Sequence, residues 1–142
     1  MVTDKEKVVV LDTLLQKLTQ EIAHKFQEIL PPNITPNQFF ILLHIAKISN
    51  CKAADIAQCM GISPAAASNM IERLYKNNWI ERVRSEGDRR VVWLRLSEKG
   101  EKLLTEIQEK KIEIFLKGLK NVSDAELDFL IAIIDRILDK KD

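Results

Sequence analysis

Glycine is scarce in this sequence, with four in 142 residues, and none is spaced to wrap a phosphate. Nucleotide chemistry built on a glycine loop is therefore excluded. Cysteine is scarcer still. Cys51 and Cys59 cannot make a disulfide framework or a four-ligand zinc site, and eight residues apart they match no redox-pair spacing. Both are read as reduced thiols. The two histidines, His24 and His44, stand on separate segments with no Cys/His cluster around them and no serine or cysteine in a nucleophile's context. The reading is a protein that is no enzyme, with no catalytic residue, no metal site and no cofactor. No run of about 18 uncharged apolar residues occurs, and the first residues lack the short apolar core of a secretory signal. A cytoplasmic protein without a membrane partner is expected. Internal repeats, low-complexity tracts and flexible linkers are also missing, while 46% of the residues are apolar, so one domain over residues 1–142 is expected.

What charge there is sits unevenly. The net charge is +1, but residues 63–95 hold Arg73, Lys76, Arg82, Arg84, Arg89, Arg90 and Arg95 against Glu72, Glu81, Glu86 and Asp88. That local excess of three positive charges lies on a slightly acidic frame, which implies contact with a polyanion through one face only.

The apolar pattern is helical over most of the chain. Val8, Leu11, Leu15, Leu18, Ile22, Phe26 and Ile29 recur mostly three and four apart, a single stripe of one long helix. Thr3 and Glu6 suit a capping box at its start, and Pro31-Pro32 stops it. Thr35-Pro36-Asn37-Gln38 opens a second helix, whose Phe39, Phe40, Leu42, Leu43 and Ile45 make it the centre of the core. A third helix covers residues 53–60 and closes on Gly61. Ser63-Pro64 opens a fourth, with Ala67, Met70, Ile71 and Leu74 on its apolar stripe. Two short helices joined by a tight glycine turn form a helix-turn-helix, whose second member enters a DNA major groove. Residues 79–84 and 91–96 flank the turn Ser85-Glu86-Gly87-Asp88 and read as a β-hairpin. Ser97-Glu98 starts another helix, interrupted at Asn121-Val122, and the capping box Ser123-Asp124-Ala125-Glu126 starts the last.

The fourth helix places Pro64, Ala65, Ala66, Ser68 and Asn69 off its apolar stripe, free to face outward. Asn69 suits an adenine edge, Ser68 several bases or a phosphate, and alanine methyls suit thymine methyls. Arg73 and Lys76 lie further along, better placed for phosphates. At the hairpin tip Arg84, Arg89 and Arg90 suit a probe of the narrow minor groove, with Asp88 expected to pair with the Arg90 guanidinium and orient it. Trp79 and Trp93 are packing residues, though either suits the wall of a pocket. The first helix, at about seven turns, outruns a domain of roughly 15 Å radius, so part of its stripe needs a partner subunit.

These segments resemble the MarR family of bacterial winged-helix regulators. The resemblance rests on Ala53-Ala54-Asp55-Ile56-Ala57, on the recognition helix from Ile62 through Leu74, and on Asp88-Arg89-Arg90 followed by Leu94-Arg95-Leu96-Ser97-Glu98-Lys99-Gly100. It implies a mainly α fold with a small β-hairpin wing (α+β), the winged helix-turn-helix occupying residues 34–100. It also implies a homodimer held by dimerisation helices at 1–31 and 101–142, bound to a pseudo-palindromic operator in double-stranded DNA. Such proteins are usually repressors released by a small-molecule effector or an oxidant. Asn78 stands where the family usually has glycine, and Lys52 where serine or threonine commonly caps helix three, a task Asn50 is a candidate for. The modest net charge and long amphipathic ends leave a second reading open, a winged-helix protein-interaction module without direct DNA readout.

Overall fold

The computed structural model describes residues 4–139. Eight elements follow in order: α1 (Lys5–Ile29), α2 (Pro36–Lys47), α3 (Ala53–Met60), α4 (Pro64–Lys76), β1 (Ile80–Arg84), β2 (Val92–Leu96), α5 (Glu98–Gly118) and α6 (Asp124–Leu138). A mainly α fold with a small antiparallel hairpin is what the periodicity predicts.

Side-chain caps set the helix starts. Thr35 and Gln38 close a reciprocal capping box on α2, with Gln38 N donating to Thr35 Oγ1 at 3.2 Å and Thr35 N to Gln38 Oε1 at 3.0 Å. Ser63 Oγ accepts from Ala66 N at 3.2 Å, and Ser123 with Glu126 repeats the box on α6. Thr3, the expected cap of α1, lies outside the described residues; Asp4 is the N-cap, accepting from Glu6 N at 3.1 Å. Asn50 does not cap α3. It sits at φ 58° in the turn before the helix, and Asp55 reaches back instead, accepting from Lys52 N at 2.8 Å.

Both helices of the helix-turn-helix end in the same way. Ile62 N bonds to Ala57 O and Gly61 N to Gln58 O, while Trp79 N bonds to Leu74 O and Asn78 N to Tyr75 O. This paired pattern needs a left-handed residue at its centre, filled by Gly61 at φ 62° and by Asn78 at φ 60°. Asparagine tolerates that conformation, so α4 still ends tightly without the usual glycine. The bond back to Leu74 also draws Trp79 out of the expected strand, and its side chain is buried, only 3% exposed.

The core surrounds α2. Phe39, Ile41 and Leu42 are fully buried and meet Ile56, Leu74, Cys51 and Ile107 from the neighbouring elements. The inward face takes Ile41 rather than Phe40, which is exposed and leans on Phe26 and Phe39. In the hairpin Ile80 pairs with Leu96 and Arg84 with Val92. Leu94 N also donates to Cys51 O at 2.7 Å, a one-residue third strand with no periodicity to announce it. At the ends of the chain the burial stops. Phe26 is the buried residue of α1, and α6 has none. No helix among the described residues is long and apolar enough to cross a membrane.

Candidate nucleic-acid interface

The apolar stripe of α4 decides which of its side chains are free. Ala67, Ile71 and Leu74 are buried and Met70 is half-buried. Turned the other way, Pro64, Ala65, Ser68 and Asn69 are exposed and Ala66 is half-buried, so the five sequence-selected residues at the N-terminal end lie off the core. Pro64 at the first helical position and the Ser63 cap leave that end with short side chains over several residues. A helix of this profile approaches a groove floor closely, with the Asn69 amide and Ser68 hydroxyl as donors and acceptors. Arg73 and Lys76 are exposed in its last turn.

The hairpin loop is organised by backbone bonds. Ser85 N donates to Val91 O at 2.9 Å and Val91 N to Asp88 O at 3.0 Å, so Arg89 and Arg90 lie in the turn itself, while Arg84 ends β1. Asp88 does not pair with the Arg90 guanidinium. Its Oδ1 accepts from the Arg90 backbone amide at 3.0 Å, because a short carboxylate reaches an amide two residues on more readily than the end of a long side chain. Asp88 therefore shapes the turn, and the guanidinium is left free to move. Arg73, Arg84, Arg89 and Arg90 are exposed, and among the described residues none of them is in an ion pair. Four unneutralised cations thus stand on α4 and the wing.

Sequence reasoning missed the residues that tie these two parts together. Arg82 on β1 reaches Glu72 on α4 at 2.5 Å and stacks its guanidinium 4.4 Å from the Tyr75 ring centre. The hydrogen bond from Arg82 holds the Glu72 carboxyl below its ordinary pKa. Nothing in the local pattern signals a pair ten residues apart on different kinds of element.

The two cysteines differ in their surroundings. Cys59 is exposed, whereas Cys51 is buried and its thiol is pushed up to about 11 by burial first, then by the negative charges of Asp55 and ionised Cys59. Only a thiolate reacts readily. At pH 8 a thiol reagent should therefore label one site per folded chain, Cys59, and two after denaturation; prompt labelling of Cys51 in the folded protein would contradict its burial.

The comparisons with known proteins agree with this geometry. The MarR family model matches residues 34–92, which include α2, the helix-turn-helix and the start of β2. The HTH-type transcriptional regulator YpoP of Bacillus subtilis is 34% identical over 131 residues, covering 92% of each chain. The HTH-type transcriptional repressor MdtR of the same organism is 32% identical, covering 84% of this chain and 70% of its own length. A solved MarR family protein from Bacillus stearothermophilus superposes with a TM-score of 0.86 at 26% identity, covering 96% of each chain. A capped reading helix, a basic wing and this similarity along nearly the whole sequence place the chain in the MarR family of winged helix-turn-helix, DNA-binding transcriptional regulators.

Proposed function

We propose that two copies of this chain pair through their first and last helices and repress transcription from a pseudo-palindromic operator in cytoplasmic DNA. The observation that carries this reading is the exposed Ser68 and Asn69 at the capped start of α4, beside a wing whose Arg84, Arg89 and Arg90 are in no ion pair among the described residues. Asn69 and Ser68 read base edges in the major groove, with Pro64, Ala65 and Ala66 setting the depth of entry. Arg73 and Lys76 hold the phosphate backbone. Arg84, Arg89 and Arg90 serve the minor groove, in the turn that Asp88 shapes. The terminal regions, residues 1–31 and 101–142, join two such readers through their helices so that they reach successive half-sites.

Release by a small effector is part of the same proposal. A groove of about 770 Å³ between α2, β2 and α5 has Ile45, Leu94 and Leu104 in its lining, along with Arg95 and Glu101. A molecule lodged there would press on the wing and on α5 together, shifting the reading surface relative to the terminal helices.

The test is a titration of labelled DNA from the protein's own locus at increasing salt. Affinity should fall steeply with salt, since phosphate contacts release counterions. A flat response, or no retention of any duplex, overturns the reading. Asn69→Ala should cost about 1–3 kcal/mol and relax the preference at one base pair of each half-site, whereas Arg73→Gln should weaken all sequences alike and flatten the salt slope by about one.

A further inference from the structure

The contact between α4 and the wing changes character along the hairpin. Alternation along β1 puts Ile80, Arg82 and Arg84 on one face of the strand. Ile80 is buried at the base, and Arg84 is exposed near the tip. Between them Arg82 takes up the contact where apolar packing runs out. Its guanidinium meets the Glu72 carboxylate at 2.5 Å and lies over the Tyr75 ring. Glu72 and Tyr75 are three residues apart on α4, neighbours on one helix face. A planar guanidinium suits both contacts at once, as a lysine ammonium does not.

A two-stranded hairpin has little rigidity of its own. This one is held at its base by Ile80, and midway along β2 by the Leu94–Cys51 bridge, directly opposite Arg82 in the strand register. At that same level on β1, the Glu72–Arg82 pair is the ion pair among the described residues that joins the wing to the reading helix. Its effect on overall stability is small, because the two side chains are 37% and 43% exposed. Its effect on direction is larger, since it fixes the hairpin part-way along its length.

We propose that Glu72, Tyr75 and Arg82 form a clamp that sets the angle between the recognition helix and the wing, making Arg82 a positioning residue rather than a phosphate contact. This rests on the DNA-binding reading above. The charge balance agrees with it. Glu72 and Arg82 cancel, so the surplus of three positive charges in residues 63–95 belongs to the arginines and lysine outside the clamp. A wing held at the right angle loses less freedom when both grooves are engaged, which is where the clamp adds affinity. Glu72 is ionised at neutral pH as any glutamate is, and its lowered pKa carries the pair further into acid, so that the clamp opens only as pH falls through that lowered value.

Three variants decide the matter: Glu72→Met, Arg82→Lys and the double substitution, each first checked for an unchanged melting temperature. The clamp predicts that each single change weakens operator binding about 3- to 10-fold, that the double is no weaker than the weaker single, and that the salt slope stays as in wild type. If Arg82 instead met a phosphate, Arg82→Lys would bind like wild type, and Glu72→Met would bind more tightly by removing a negative charge. Either of those results overturns the proposal. Amide hydrogen exchange of residues 80–96 in the free protein supplies a readout independent of DNA. Faster exchange in both single variants supports the clamp, and unchanged exchange refutes it even if the wild type binds no duplex.

Discussion

Replacing Gly100 with alanine lowers the melting temperature by about 10 °C. Intrinsic preference argues for the opposite sign, since alanine in a helix is better than glycine by about 1 kcal/mol. Position overrides it. A Cβ at residue 100 would lie 1.9 Å from the Trp79 carbonyl oxygen and 2.9 Å from the carbonyl carbon, against an ordinary separation of about 3.5 Å between non-bonded atoms. The obstacle is backbone, so no side chain can swing aside. Nor is that backbone free to retreat. Ser97 N donates to Trp79 O at 3.0 Å, Ser97 Oγ donates to Asn78 O, and Gly100 N donates back to Ser97 Oγ at 3.0 Å. Relief would lift the start of α5 off the turn that ends α4, disturbing a buried tryptophan and three hydrogen bonds. Overpacking of this kind costs about 3 kcal/mol, which for a chain of this size is roughly 10 °C. The measurement is a thermal melt at fixed protomer concentration, because association also shifts the midpoint. Gly118→Ala is the internal control. A Cβ there meets nothing within 4 Å, so the same substitution should leave the melting temperature unchanged or raise it slightly. Equal effects at the two glycines would refute the close approach.

Gly100 also shows where sequence reasoning stops. The segment Leu96-Ser97-Glu98-Lys99-Gly100 marks the position by resemblance, but the reason for glycine is a carbonyl 21 residues away. Features set by neighbours in sequence were legible. Thr35-Pro36, Ser63-Pro64 and Ser123 with Glu126 each cap a helix as read, because a cap is a bond across three residues. Gly61 was legible for the same reason. The outward set on α4 followed from period alone, and its exposed positions agree. Features set by tertiary contact were not. The Cys51–Leu94 bridge is one residue long and has no period. Arg82 looked like one more basic residue of the wing until its guanidinium met Glu72 and Tyr75. Asp88 stood two residues from Arg90, and that spacing fits a backbone bond as well as an ion pair; the structure has the former. In α2 the density of apolar residues concealed which side was inward, so Ile41 went unremarked while Phe40 was placed in the core.

The second large effect lies at the other end of the chain. Ile134→Asp should raise the dimer dissociation constant by at least about 100-fold and weaken binding to a two-half-site operator by a similar factor. On α6, Leu127, Leu130, Ile131, Ile134 and Leu138 recur at helical spacing, yet no residue of this helix is buried within its own chain. Ile134 is 46% exposed and Leu130 44%, and on α1 Leu11, Leu15 and Leu18 are each about half exposed. A fully buried aliphatic side chain contributes about 1.5–3 kcal/mol, so a stripe of this length left in water is a large unmet driving force. A two-fold interface would bury each residue twice, and one aspartate would place two unpaired carboxylates in it. The core around Phe39, Leu42 and Leu74 draws nothing from α6, so the DNA-reading part should remain folded in the monomer. Loss of operator binding then reports lost pairing of the two readers, since each half-site contact becomes a separate event without the effective concentration of its twin. Sedimentation and operator titration on the same sample separate the two effects. Asp135→Asn, on the acidic side of α6, is the matching control and should leave both unchanged. If Ile134→Asp stays dimeric and binds the full operator with wild-type affinity, the α6 stripe is not the subunit interface.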